Sequence, residues 1–153
     1  MQIRAYKLDD SEGVKNLILG ILSEEYPFDK AAYSDSDIND ISGVYGGTGD
    51  AFVVLEDKSH NVVGTIGIKK ESDNSALVRR LFLDKEHRKK GYGGQLLDAA
   101  IEICKKKQYK YLVFRATGRM KAAMELCKKR GFKQEEELDL GGFTIHKLIL
   151  ELK

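Results

Sequence analysis

Tryptophan is absent from this chain, proline occurs once, at Pro27, and cysteine twice, at Cys104 and Cys127. One proline in 153 residues leaves no room for a proline-rich linker or a collagen-like repeat. The two cysteines form no C-x-x-C and flank no histidine cluster, so neither a metal site nor a disulfide framework is expected. No apolar run approaches the roughly 20 residues that span a bilayer, and Met1-Gln2-Ile3-Arg4 does not open a signal peptide. Reduced cytosol is the expected compartment, with no membrane partner. Charge of one sign is lacking as well. Lys and Arg number 26 against 24 Asp and Glu, a formal charge of +2, so no global field awaits a polyanion and any basic patch is local. What is present is an ordered composition, 33% charged, long enough for one domain over 1–153 with a full core.

Periodicity divides the chain. Ile3 to Tyr6 reads as a strand. Asp9, Asp10 and Ser11 then offer cap chemistry before Val14, Leu17, Ile18, Ile21 and Leu22, a helical stripe that ends at Tyr26-Pro27-Phe28. Ser36 or Asp35 caps a shorter helix with Ile38, Ile41 and Val44 on its apolar face, broken by Gly46-Gly47-Thr48-Gly49. The period then changes to two. Strands over Ala51–Glu56 and Asn61–Lys70 form a hairpin across Asp57-Lys58-Ser59-His60, and a third strand runs from Ser75 to Asp84. Later come a helix from Gln95 with Leu96, Leu97, Ala100, Ile101 and Cys104, a strand over Tyr109–Arg115, and a helix over Met120–Arg130. Strands over Phe132–Leu138 and Phe143–Leu152 close the chain. The order β-α-α-β-β-β-α-β-α-β-β fits an α+β domain with one sheet.

The stretch between the third strand and its helix carries the chemistry: Arg88-Lys89-Lys90-Gly91-Tyr92-Gly93-Gly94. A strand that enters a basic, glycine-rich turn and then a helix is built to hold phosphate. Glycines allow positive φ and close approach, and the first N–H groups of the helix point at the anion. Two standard nucleotide loops fail. Gly93-Gly94-Gln95 lacks the Gly-Lys-Ser/Thr ending of a P-loop, and the dinucleotide fingerprint lacks its third glycine and its place after a first strand.

The pattern that does fit is Arg/Gln-x-x-Gly-x-Gly/Ala, through Arg88, Gly91 and Gly93. With the preceding Val78-Arg79-Arg80-Leu81-Phe82-Leu83-Asp84 and the later Met120–Phe132, it resembles the pyrophosphate loop, central strand and penultimate helix of the GNAT superfamily of acyl-CoA-dependent N-acetyltransferases. The resemblance covers nearly the whole chain and is weakest before about Phe52. It implies a mixed, mostly antiparallel sheet of about seven strands flanked by about four helices. It also implies acetyl-CoA as cosubstrate, no metal, and an amine acceptor attacked directly in a ternary complex. Pantetheine would lie like an added strand along Leu81, Phe82 and Leu83, with pyrophosphate on Arg88, Lys89, Lys90, Gly91, Tyr92, Gly93 and Gly94. A bulky residue at Gly93 is expected to block that approach.

Amide formation needs a neutral amine, a donor for the developing oxyanion and a proton for the leaving thiolate. A backbone N–H near Leu83 is the oxyanion candidate. Many relatives carry a tyrosine acid four residues before the Gly of Gly-Phe, and here that position is Cys127. Cys127 also lies on the apolar stripe Met120, Ala123, Met124, Cys127, where a cysteine packs as a small hydrophobe. Glu71 is the base candidate, at the end of a strand beside the expected cleft. Glu24, Glu25 and Tyr26, at the end of the first helix, are candidate acceptor-site residues. His146 on the last strand is within reach of the site, though a histidine in a strand is more often structural. His87 flanks the loop and adds to its polarity, and Tyr92 packs on the nucleotide or faces water. Two other readings compete. One is a CoA-binding module without catalysis, favoured by the missing tyrosine. The other is a nucleic-acid binder using His87–Lys90 and Lys105–Lys107, disfavoured by the small net charge and the lack of interleaved aromatics. Monomer and homodimer both stay open, with Phe143 and Ile145 as a possible dimer edge.

Overall fold

The computed structural model describes residues 1–26, 36–139, 141 and 144–153. The expectations placed on Pro27, Phe28, Asp35 and Phe143 lie outside the described residues.

Seven strands form one sheet: β1 (Gln2–Ala5), β2 (Ala51–Glu56), β3 (Val62–Lys70), β4 (Ser75–Leu83), β5 (Tyr111–Thr117), β6 (Lys133–Asp139) and β7 (Thr144–Glu151). Their order across the sheet is β1-β2-β3-β4-β5-β7-β6. Every neighbouring pair is antiparallel except β4 and β5. Among the described residues four α-helices accompany them: α1 (Ser11–Glu25), α2 (Ile41–Val44), α3 (Tyr92–Lys106) and α4 (Lys121–Lys129). This is the mixed, mostly antiparallel sheet of seven strands with helices that the resemblance implied.

The central strands are covered on both faces, which explains why β2 and β3 read as near-continuous apolar runs. α1 and α3 both pack on β3 and β4. A Cβ added to Gly64 of β3 would meet Leu96 of α3, and one added to Gly13 of α1 would meet Val62 of β3. Val14, Ile18 and Ile21 of α1 and Leu96, Leu97, Ala100 and Cys104 of α3 are the buried stripes. Their burial stabilises by about 1.5–3 kcal/mol per large side chain.

Three expectations shift in detail. The second helix becomes a 3-10 turn over Asp37–Asn39 and the single-turn α2, whose cap is Asp40, accepting from the Gly43 N–H at 3.0 Å. α3 starts three residues before Gln95, because Gly91 rather than Gly94 turns the chain. Asp10 does precede α1, but its carboxylate takes Arg4 (2.8 Å) and the Lys7 N–H (2.8 Å) instead of capping.

Candidate functional site

The site begins where β4 parts from β5. Their ladder runs from Ser75↔Tyr111 to Val78↔Phe114 and stops, although β4 continues to Leu83 and β5 to Thr117. From Arg79 to Leu83 the β5-facing edge of β4 therefore has no strand beside it. The cause lies on the other edge. Between Gly67↔Arg79 and Thr65↔Phe82, β3 advances two residues while β4 advances three. That extra residue is a β-bulge, which bends and twists its strand.

Arg80 sits in the bulge at φ 55°, a left-handed conformation that L residues adopt at a cost of order 1–2 kcal/mol. Buried contacts hold it there. Thr65 Oγ1 donates to the Arg80 carbonyl at 2.7 Å. The Arg80 guanidinium grips Asp37 through two bonds of 2.9 and 2.5 Å, and Tyr45 Oη donates to the same carboxylate at 2.6 Å. Burial alone would raise the Asp37 carboxyl, but the hydrogen bonds from Arg80 and Tyr45 outweigh it and hold the group below its ordinary value. Burial, then the bond to Asp37, pushes Tyr45 well above the ordinary phenol. Asp37 and Tyr45 belong to the segment between α1 and β2, so this segment is anchored on the bulge.

At its far end β4 runs into the basic loop. A 3-10 turn over Lys85–His87 leads to Lys89 (φ 62°) and Gly91 (φ 88°), the left-handed N-cap of α3. No side chain caps α3, and Gln95 N–H bonds back to the Gly91 carbonyl at 3.1 Å. The N–H groups of the first turn are left without a side-chain cap, and Lys89 and Lys90 are exposed beside them. Nothing lies within 4 Å of a Cβ placed on Gly91. This loop suits a pyrophosphate: positive charge, uncapped amides and open space coincide. The glycines differ in their reasons. A Cβ on Gly93 would meet Leu126 of α4 at 3.2 Å, so crowding there comes from helix packing rather than from the ligand side.

Arg88, the first residue of the pattern, is engaged within the protein. Its guanidinium clasps Glu25 at the end of α1 with bonds of 2.5 and 2.7 Å, and its Nε donates to the Leu83 carbonyl at 3.0 Å. The loop is thus tied to α1 and to β4 at once. Glu25, expected as an acceptor-site group, holds a positioning contact, while Glu24 is exposed and Tyr26 half-buried. Leu81 and Phe82 are buried, so they present main chain and not side chain to the fork.

The remaining candidates are dispersed. Glu71 accepts from Ser75 Oγ at 2.9 Å and from Arg115 Nη1 at 3.0 Å, at the closed end of the β3–β4 hairpin. Cys127 is fully buried on α4, and burial pushes its thiol up to about 12. His87 contacts Asp84 at 3.1 Å, and His146 lies against Gln134 (3.0 Å) and Glu137 (3.2 Å) of β6. Among the described residues no group of three or more His, Cys, Asp or Glu is placed to hold a metal ion, and no helix is long and apolar enough to cross a membrane.

Sequence reading missed the Asp37–Tyr45–Arg80 cluster. A signal was there: Arg79-Arg80 interrupts an apolar strand, and two adjacent strand residues do not ordinarily both face solvent. One of them had to find a buried acid.

The profile of the Acetyltransferase (GNAT) family matches residues 16–132. Among solved structures, a GNAT-family acetyltransferase from Staphylococcus aureus Mu50 superposes with a TM-score of 0.84 at 22% identity, covering 99% of each chain. A phosphinothricin acetyltransferase from Sinorhizobium meliloti, in complex with AcCoA, gives 0.82 at 16%, covering 99% of this chain and 88% of that one. A spermidine N-acetyltransferase from Vibrio cholerae, in complex with CoA and spermine, gives 0.77 at 17%, covering 99% and 95%. At these identities the likeness is one of fold. No curated protein matches the sequence significantly.

Proposed function

Because this chain belongs to the GNAT acetyltransferase family, we propose that it moves an acetyl group from acetyl-CoA to a primary amine by direct attack in a ternary complex. The observation that carries the proposal is the Gly91-hinged basic loop at the uncapped start of α3, next to a β4 edge left open by the fork. Lys89, Lys90 and the amides from Lys89 to Gly94 would hold the pyrophosphate, and main-chain groups of Leu81 and Leu83 would pair with the pantetheine arm. The Leu83 carbonyl already accepts from Arg88, which fixes the direction of the strand end and leaves its remaining lone pair for the ligand.

The cosubstrate supplies an activated acyl thioester, so no enzyme nucleophile is needed. The chain's part is to position and to polarise. A main-chain N–H near Leu83 on the open edge of β4 would serve as oxyanion donor, and Thr65, Asp37 and Tyr45 brace the bulge of that strand, the kind of preorganisation such a donor requires. The new C–N bond forms as the C–S bond breaks. The amine proton leaves to water, and the departing thiolate takes one from water, since buried Cys127 is a far weaker acid than a free thiol.

Calorimetric titration with acetyl-CoA and CoA, with ATP as control, tests the cofactor. We expect saturable one-to-one binding of both thiol compounds and weak binding of ATP. An amine panel followed by free-thiol release then tests turnover. Binding without turnover of any amine would leave a CoA-binding module, the reading that a buried Cys127 in the usual tyrosine position favours.

A further inference from the structure

We propose that the acceptor is an α-amino acid whose carboxylate is received by Arg79 at the fork, with Arg115 facing it across the opening. This rests on the acetyltransferase reading above and adds the chemical class of the acceptor.

The last rung between β4 and β5 is Val78↔Phe114, so Arg79 and Arg115 are the first residues past it on their strands. Strand side chains alternate between faces. Val78 and Phe114 are buried in the core, which sends the two arginines together to the opposite face. Lys147, the ladder partner of Arg115, extends the row. On this face Arg79 Cζ lies 6.0 Å from the centroid of the Tyr45 ring, at the outer reach of a cation–π contact.

The acids on this face are largely engaged. Asp37 has both oxygens on Arg80, and Oδ2 also takes the Tyr45 hydroxyl, so its 3.8 Å approach to Arg79 is long. Glu71 serves Arg115 at 3.0 Å. Glu136 is the ladder partner of Lys147, on the side away from the fork. Among the described residues, Arg79, Arg80, Arg115 and Lys147 thus share three carboxylates, and of the three arginines Arg79 makes the longest ion pair. Its side chain is 35% exposed and that of Arg115 45%, so both can still reach a ligand. A planar fork of donors with its stem packed suits a carboxylate. A polyamine would meet like charge here. A carboxylate seated at the fork places an α-amine two bonds away, toward the open edge of β4.

The test uses the whole chain with acetyl-CoA, each standard amino acid and its carboxamide, and spermidine, followed by thiol release. We expect at least one amino acid to exceed its amide by about 10- to 100-fold in kcat/KM, the worth of a charge-assisted bond. Arg79→Met should bring that ratio close to one with an unchanged KM for acetyl-CoA, and Arg79→Lys should restore part of it. Amides or spermidine turning over as fast as the free acids would overturn the proposal, as would a ratio that survives Arg79→Met. Should that variant not fold, the wild-type ratio of acid to amide decides alone. No acetyl-CoA binding by the wild type would remove the enzyme reading and this proposal together. Binding with turnover of amides alone removes only the carboxylate site.

Discussion

The two sides of the β4–β5 fork are built by opposite means. At the end of β4 the loop uses main chain: positive φ at Lys89 and Gly91, and the uncapped amides of α3. On the α1–α2 face the construction is in side chains: Asp37, Tyr45, Arg79 and Arg80, brought together from segments 43 residues apart. A main-chain site demands little of the sequence beyond its glycines, and it suits a ligand shared by a whole family. A side-chain site changes with every substitution, and it suits a ligand that distinguishes one member from another. The contrast can be broken from either side.

The largest effect should come from the side-chain wall. Asp37→Asn leaves the Arg80 guanidinium, with a side chain only 4% exposed, facing a neutral partner. Breaking one half of a buried pair costs about 3–5 kcal/mol, and urea denaturation should show a loss of that size. The effect has a pH signature. The folded Asp37 carboxyl lies below its unfolded value, so its stabilisation is present above the ordinary carboxylate range and is lost as pH falls through the folded value. The gap between wild type and Asp37→Asn should therefore begin to narrow only below about pH 4. At temperatures where the variant is folded, kcat should fall while affinity for acetyl-CoA holds. Equal stability of the two proteins at pH 7 would mean that the bulge is held by something other than this cluster.

The main-chain wall should respond to conformation. Gly91→Val must place a β-branched residue at φ 88°, with no steric neighbour to blame, so a cost of about 1–3 kcal/mol is conformational. We expect calorimetry to show acetyl-CoA affinity lowered about tenfold or more, since 1.4 kcal/mol is one decade. Gly93→Ala is the contrasting case. Its Cβ would press on Leu126 and not on the open mouth, and alanine's helix preference of about 0.5–1 kcal/mol offsets that squeeze. Binding should be nearly unchanged. A Gly93→Ala protein that loses the cofactor would restore the simpler expectation that both glycines exist for the ligand.

This contrast also governs how much could be read from sequence. The strand, glycine loop and helix around Gly91 were legible because backbone requirements leave a fixed local pattern, and the stripes of α1 and α3 because burial leaves a period. The segment between α1 and β2 was not. Its expected helix dissolves into a 3-10 turn and the single turn Ile41–Val44, since Gly43, Gly46 and Gly47 each weaken helix propagation and Asp40 prefers a cap. Arg80 with Asp37 and Arg88 with Glu25 pair across separations of 43 and 63 residues, which no local pattern encodes. Glu25 looked like a free acid at a helix end and proves to be the clasp of the loop. The splay of β4 from β5 is announced by no periodicity in the sequence. Its physical origin, one extra residue between Gly67↔Arg79 and Thr65↔Phe82, leaves no mark in composition or period.

The smallest expected effect separates packing from proton transfer at Cys127. The thiol lies fully buried on α4, and burial pushes it up to about 12. A donor that weak would hand its proton to a leaving thiolate uphill, against the usual matching of catalytic acid to task. Cys127→Ala removes one sulfur from a filled core, a change comparable to deleting a single methyl group, and should cost about 1 kcal/mol in stability. Turnover should stay within about twofold of wild type, far from the 10²–10⁴-fold loss that follows removal of a working general acid. The pH profile of kcat sharpens the reading, because a group near 12 places no inflection between pH 6 and 9 and its removal should leave the alkaline limb where it was. A hundredfold loss of kcat, with stability intact, would instead make this thiol the proton donor and would require helix α4 to open it to the fork during turnover.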